Sequence, residues 1–213
     1  MINPDFDVII FDCDGTLVDS EPITVAVMVE FVREFGLELP FADALPMFVG
    51  RDMPGIVTEL ELRIGSKLPS SFCDEFRNRQ AIALQRDLQA ITGAHELLDS
   101  MTRNYCVASN APHDKITINL TTTGLDQFFN SGRTFSAYDI NVWKPQPDLF
   151  LFAAEKMGVD PARCVVVEDS HAGIEAGLAA EMQVIGYSPG PDERPSDKVP
   201  FVHSLLDLID VLT

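Results

Sequence analysis

The chain has few basic residues. Lys and Arg together number 15 against 33 Asp and Glu, so the formal net charge is -18. A protein this acidic repels polyphosphate backbones and anionic lipid surfaces, and we therefore expect neither nucleic acid nor a membrane as a partner. An anionic small substrate would need a local cation and a few positioned basic groups.

Disulfide motifs and long apolar runs are also absent. The four cysteines form no CxxC pair and no regular spacing, which indicates reduced thiols rather than a disulfide framework or a zinc site. No segment approaches the ~20 apolar residues of a membrane span, and the first seven residues lack the basic and apolar regions of a signal peptide. We expect a cytoplasmic protein.

The apolar pattern predicts an α/β fold. Hydrophobic residues make up 46% of the chain, enough for a packed core. Short apolar runs indicate strands at 8–11, 105–109, 131–135, 164–167 and 184–186, and helical periodicity appears between them. This alternation is typical of a doubly wound, Rossmann-like parallel sheet. Residues 20–90 show helical signals and no strand, so we predict a core of 1–19 and 91–213 with a small all-helical insertion at 20–90.

Two carboxylates follow the first predicted strand. Asp12 and Asp14 come directly after Val8-Ile9-Ile10-Phe11, where open α/β sheets place their active sites. Two like charges side by side are unfavourable, so we expect that a cation neutralises them or that the carboxylates take part in catalysis. A calcium loop of the EF-hand type would need Gly and Glu where Leu17 and Ile23 stand. A purely structural turn is the other alternative.

Three more polar elements stand at or near the ends of predicted strands. They are Ser109-Asn110, Lys144-Pro145 and Glu168-Asp169-Ser170. In a parallel sheet these ends lie along one edge. The resulting group of carboxylates favours a hard divalent cation such as Mg²⁺, which binds carboxylates together with a substrate phosphate. Taken singly, Ser109 and Lys144 are ordinary strand-end and loop residues, and Glu168-Asp169-Ser170 also fits the N-cap of a helix.

These four elements, in this order, resemble the motifs of the haloacid dehalogenase superfamily. The resemblance spans nearly the whole chain and is nearest to the β-phosphoglucomutase-like and sugar-phosphate phosphatase branch. It is carried by Asp12-Cys13-Asp14-Gly15-Thr16, by Ser109-Asn110, by Trp143-Lys144-Pro145 and by Glu168-Asp169-Ser170.

The resemblance implies a role for each motif residue. Asp12 would be the nucleophile and a Mg²⁺ ligand, and Asp14 the general acid/base with its backbone carbonyl on the metal. Thr16 would steady the Asp14 loop. The remaining roles fall to seven residues. Ser109 and Lys144 would bind the phosphoryl group, and Asn110, Gly50 and Arg51 the substrate. Asp169 would bind the metal, with Glu168 either a further ligand or a carboxylate that supports the ligands.

The expected activity is Mg²⁺-dependent hydrolysis of a small phosphorylated metabolite, a sugar phosphate or sugar-acid phosphate, through an aspartyl-phosphate. The alternative is a β-phosphoglucomutase-like mutase. Mutases of this branch carry a histidine where this chain has Thr24, which favours hydrolysis. Dehalogenases lack the second aspartate, so Asp14 opposes dehalogenation. A non-catalytic protein that binds a phosphorylated metabolite is the third hypothesis, and a monomer is the default oligomeric state.

Overall fold

The chain divides into two compact units. The computed structural model describes residues 2–48, 53–129, 132–190 and 196–213. One unit comprises residues 1–19 and 89–213, and the other comprises Ser20–Leu88. The second unit is thus an insertion that follows the first strand and the loop that carries Asp12 and Asp14, which we call the acidic loop.

A six-stranded parallel sheet forms the centre of the first unit. Its strands are β1 (Val8–Phe11), β2 (Asn104–Ser109), β3 (Thr134–Ser136), β4 (Cys164–Glu168), β5 (Gln183–Tyr187) and β6 (Phe201–Val202). They lie in the order β3-β2-β1-β4-β5-β6, and every neighbouring pair is parallel. The predicted α/β class and doubly wound parallel sheet are therefore confirmed. The sequence predicted five strands, the last at 184–186, and this is wrong because β6 adds an edge strand beyond β5.

Within the described residues of the inserted unit, the secondary-structure elements are all helices. It contains α1 (Glu21–Val32), α2 (Phe41–Phe48), α3 (Met53–Ile64) and α4 (Phe72–Asp87). Its core includes Val25, Met28 and Leu60, and the rings of Phe31 and Phe72 stack with their centroids 4.8 Å apart. The α2 helix was not singled out from the sequence.

Helices of the first unit cover the sheet. They are α5 (Ala94–Ser100), α6 (His113–Thr123), α7 (Asp148–Met157), α8 (His171–Ala179) and α9 (Ile209–Leu212). Val8 and Ile10 belong to a buried cluster that includes residues of α7 and α8, whereas Ile9 and Phe11 point to the opposite face of the sheet. All four side chains are fully buried, as expected for the central strand of a sheet covered on both faces. Within the part of the chain that the structure describes, every helix is too short or too polar to span a bilayer.

Candidate active site

The polar residues predicted from the sequence lie at the carboxyl ends of three adjacent strands. Asp12 follows β1, Ser109 is the last residue of β2, and Glu168 is the last residue of β4. The strand order reverses beside β1, because β2 and β3 lie on one side of it and β4, β5 and β6 lie on the other. Open α/β sheets bind ligands at such a switch point.

Three carboxylates converge beside Asp12. Asp12, Glu168 and Asp169 each offer an oxygen, and these oxygens lie within 4.8 Å of one another. We call these three residues the acidic cluster. Asp12 and Glu168 are buried, at 6% and 1% exposure. Burying like charges this close is unfavourable unless a cation neutralises them or protons bind.

Lys144 supplies one positive charge to the acidic cluster. Its Nζ lies 2.5 Å from Asp12 Oδ1 and 3.7 Å from Glu168 Oε1. Burial alone would lower the pKa of Lys144, but the Asp12 and Glu168 carboxylates raise it overall, so the side chain keeps its proton. Burial raises the pKa of Asp12 despite Lys144, and burial raises the pKa of Glu168 to about 8. One ammonium therefore does not neutralise the cluster.

The loop after β1 approaches Asp169 closely. Gly15 has a φ of 87°, and a Cβ at this position would overlap the Asp169 carboxylate. Glycine is needed here for both reasons. The buried Thr16 donates its hydroxyl hydrogen to Asp169 Oδ1 at 2.8 Å. Thr16 thus ties the acidic loop to the end of β4, a partner that the sequence did not indicate.

Ser109 and Asn110 lie where β2 leads toward α6. Ser109 is buried, and its Oγ accepts the N–H of Ala111 at 3.1 Å. Asn110, predicted to bind substrate, holds the main chain of Lys144. Its Oδ1 accepts the Lys144 N–H at 3.0 Å, and its Nδ2 faces the Lys144 carbonyl oxygen at 3.5 Å. Asn110 therefore positions the loop that carries the lysine.

Two residues that the sequence analysis missed contact Asp14. Lys115 Nζ lies 2.8 Å from Asp14 Oδ1, and Asn119 Nδ2 donates to the same oxygen at 2.9 Å. Burial opposes the charge of Lys115, yet the Asp14 carboxylate raises the lysine pKa overall. Both residues lie on α6, four positions apart and hence on one face. That spacing, directly after the Ser109-Asn110 element, is the signal that could have found them.

The start of α8 holds Glu168 in place. Ser170 is the N-cap and its Oγ accepts the Gly173 N–H at 3.0 Å, so the capping interpretation of this segment holds. The same hydroxyl lies 3.2 Å from both carboxylate oxygens of Glu168. A Cβ on Gly173 would overlap that carboxylate. Because residue 173 is a glycine, the start of α8 leaves room for the Glu168 carboxylate.

The predicted substrate residues Gly50 and Arg51 lie outside the described residues. The predicted role of the Asp14 backbone carbonyl as a metal ligand stays a prediction, and the Asp14 side chain is not part of the acidic cluster.

A divalent cation fits the acidic cluster. Its donors are all carboxylate oxygens, the ligand type that Mg²⁺ prefers. Three ionised carboxylates beside one ammonium leave an excess of two negative charges, the charge of one such ion. Burial raises the pKa of Asp12 and of Glu168, so a cation that neutralises their charge would favour the ionised form of both.

Comparison with known proteins places the site in a family. Residues 9–187 match the family model described as haloacid dehalogenase-like hydrolase. A curated relative, the 6-phosphogluconate phosphatase of Escherichia coli, is 35% identical over 88% of this chain and 85% of that protein.

Two solved structures share the whole architecture. A haloacid dehalogenase-like protein of unknown function from Agrobacterium tumefaciens is 34% identical, covers 97% of both chains and superposes with a TM-score of 0.82. A haloacid dehalogenase family hydrolase from Deinococcus radiodurans, with bound phosphate and sodium, is 28% identical, covers 99% of both chains and has a TM-score of 0.79. The chain is a member of the haloacid dehalogenase-like hydrolase family.

Proposed function

We propose that this protein is a Mg²⁺-dependent phosphatase that hydrolyses a small phosphorylated metabolite, a sugar phosphate or sugar-acid phosphate, through an aspartyl-phosphate on Asp12. Family membership supports hydrolysis, and the 6-phosphogluconate phosphatase of E. coli, among the most similar curated relatives, supports a sugar-acid phosphate.

The observation that carries the proposal is the surroundings of Asp12. A buried carboxylate at a strand end lies between Lys144 and two further acids. A phosphoryl group delivered there would meet a nucleophile, an ammonium and a cation site together. Phosphoryl transfer needs little more than such positioning and charge neutralisation.

In the first half-reaction, the Asp12 carboxylate attacks phosphorus while the bond from phosphorus to the leaving oxygen breaks. Asp14 gives its proton to that oxygen, so the product leaves as an alcohol. Lys144 and the Ser109 hydroxyl hold the phosphoryl oxygens. Burial of Asp12 and Lys144 excludes water from this pair and strengthens their interaction with the phosphoryl group.

In the second half-reaction, a water oxygen attacks phosphorus and the bond from Asp12 to phosphorus breaks. Asp14, now ionised, takes one proton from that water. Inorganic phosphate leaves, and both aspartates return to their starting states. Asp12, Glu168, Asp169 and the Asp14 carbonyl would hold the Mg²⁺, which when bound supplies positive charge to the transferring phosphoryl group.

The test is a hydrolysis screen. The purified protein is incubated with 6-phosphogluconate, hexitol phosphates, hexose phosphates and phosphoglycolate, with Mg²⁺ or with EDTA, and released phosphate is measured. We expect turnover with Mg²⁺, little with EDTA and none in Asp12→Asn. The matched control Asp210→Asn, at an exposed position of α9, should retain full activity. Turnover that survives both EDTA and Asp12→Asn would refute the proposal.

Among the described residues of the inserted unit, the contact of Thr24 argues against the mutase alternative. Thr24, where a mutase carries its histidine, accepts a hydrogen bond from Gln80 Nε2 at 2.8 Å. Threonine offers no imidazole for proton transfer. We therefore expect inorganic phosphate as the product, and an isomeric sugar phosphate formed only with a bisphosphate activator would favour the mutase instead. A monomeric, cytoplasmic enzyme remains our prediction.

A further inference from the structure

The contacts of Asp14 point to two further functional residues, Lys115 and Asn119. Both donate to the same carboxylate oxygen, Oδ1, at 2.8 and 2.9 Å. The lysine and Asp14 side chains are each 20% exposed, and Asn119 is fully buried. The three groups thus form a connected, largely desolvated network.

A contribution to the stability of the fold does not explain why residue 119 is an asparagine. Its Nδ2 faces Asp14 Oδ1 and, at 3.8 Å, the Sγ of Cys13, whereas Oδ1 of the amide has no hydrogen-bond partner among the described residues. A buried acceptor without a partner is unfavourable by about 1–3 kcal/mol. A leucine would fill a similar volume without that cost. The amide is therefore placed for its donor, and the donor is directed at Asp14.

We propose that Lys115 and Asn119 are positioning residues that fix Asp14 for proton transfer; this inference rests on the proposed function. Because Oδ1 already accepts from both the Lys115 ammonium and the Asn119 amide, a proton on Asp14 belongs on Oδ2. Oδ2–H then gives its proton to the leaving oxygen as the bond from phosphorus to that oxygen breaks. In the second half-reaction Oδ2 takes a proton from the attacking water.

A positioned general acid matters in proportion to the basicity of the leaving group. An alkoxide needs a proton as it departs, whereas p-nitrophenolate departs without one. If Lys115 and Asn119 position the acid, their loss slows phosphorylation of Asp12 by a sugar phosphate and spares phosphorylation by p-nitrophenyl phosphate. A merely structural role would slow both equally.

The experiment measures the first half-reaction by rapid quench for Lys115→Met and Asn119→Leu. With a sugar phosphate from the screen, we expect the single-turnover rate to fall at least about tenfold with KM nearly unchanged. With p-nitrophenyl phosphate, the burst of p-nitrophenolate should stay within about twofold of the wild-type rate, and the phosphorylated enzyme should accumulate because its hydrolysis still needs Asp14 as a base. Lys115→Arg, which keeps the charge, should recover part of the lost rate.

Controls separate this inference from the proposed function. Lys156→Met and Asn78→Leu make the same replacements at exposed positions of α7 and α4, and both should behave like wild type. Thermal unfolding identifies any variant that fails to fold; Lys115→Met, at a partly exposed position, keeps the test available. Equal losses with both leaving groups, or no loss with either, would overturn this inference alone. A wild-type protein that hydrolyses no phosphate ester would overturn both proposals.

Discussion

Removing the charge of Lys144 should destabilise the metal-free protein. In Lys144→Met, Asp12 and Glu168 stay buried in the acidic cluster without their shared ammonium, whose Nζ lies 2.5 and 3.7 Å from them. Removing one partner of a buried pair typically lowers the free energy of unfolding by ~3–5 kcal/mol. Because the pKa of Glu168 is about 8, this carboxyl can take up a proton at neutral pH, so we expect the lower end of that range.

The assay is thermal unfolding in EDTA, repeated with excess Mg²⁺. A loss of ~3 kcal/mol corresponds to a Tm lower by roughly 6–12 °C in a protein of this size. With Mg²⁺, the cation neutralises the same carboxylates, and we expect the difference between variant and wild type to shrink by about half or more. A smaller stability difference with Mg²⁺ than in EDTA would identify the acidic cluster as the cation site.

The control is Lys198→Met. Lys198 pairs with Glu175 at 2.7 Å, but its side chain is 62% exposed, so the loss should stay within ~1 kcal/mol. If Lys144→Met in EDTA is as stable as Lys198→Met, or if Mg²⁺ leaves its Tm deficit unchanged, the charge argument for the cluster is wrong.

Three other predictions concern the same site. Because burial raises the pKa of Glu168 from 4.5 to about 8, the folded state binds this proton more tightly than the unfolded chain. The free energy of unfolding of the metal-free protein should therefore fall as pH rises between about 5 and 8, by at most ~1.4 kcal/mol per pH unit. Denaturation in EDTA measures it, and a free energy of unfolding that increases over this pH range would contradict the prediction. Gly173→Ala should push the Glu168 carboxylate from its place and weaken Mg²⁺ binding about tenfold or more by calorimetry; unchanged affinity would mean that Glu168 is not a ligand. Asp14→Asn should lower turnover ~10²–10⁴-fold, whereas the affinities for Mg²⁺ and phosphate should change far less. Affinities that fall as much as turnover would contradict an acid/base role for Asp14.

The sequence identified the parts of the fold with strong local signals. Buried central strands such as β1 and β4 are continuous apolar runs, so they were readily predicted. The edge strand β6 was missed because it has only two residues, Phe201 and Val202, which are too few to show a strand pattern and are only half-buried. A two-residue strand depends on the neighbouring strand for its pairing rather than on its own residues.

Three of the four predicted motifs were visible for the same reason, since they end or directly follow predicted strands, whereas Lys144-Pro145 lies in the segment between β3 and α7. The contacts that position the motifs were not visible, because they join distant segments. Thr16 and Asp169 are 153 positions apart, and Asn119 is 105 positions from Asp14. On α6, the four-residue spacing of Lys115 and Asn119 places both on one face of the helix, but the sequence does not show that this face packs beside Asp14. The double contact of Asn110 with the Lys144 main chain is a further case.

The central claim is that Asp12 carries the phosphoryl group during turnover, and chemical trapping tests it most directly. The enzyme is mixed with the best substrate of the hydrolysis screen and Mg²⁺, quenched during the first turnover and treated with borohydride, which reduces an acyl phosphate to an alcohol and releases phosphate. Peptide mass spectrometry should then find homoserine at position 12 in the wild type, and not in a sample without substrate. Aspartate intact at position 12 under conditions where phosphate is released would contradict the account.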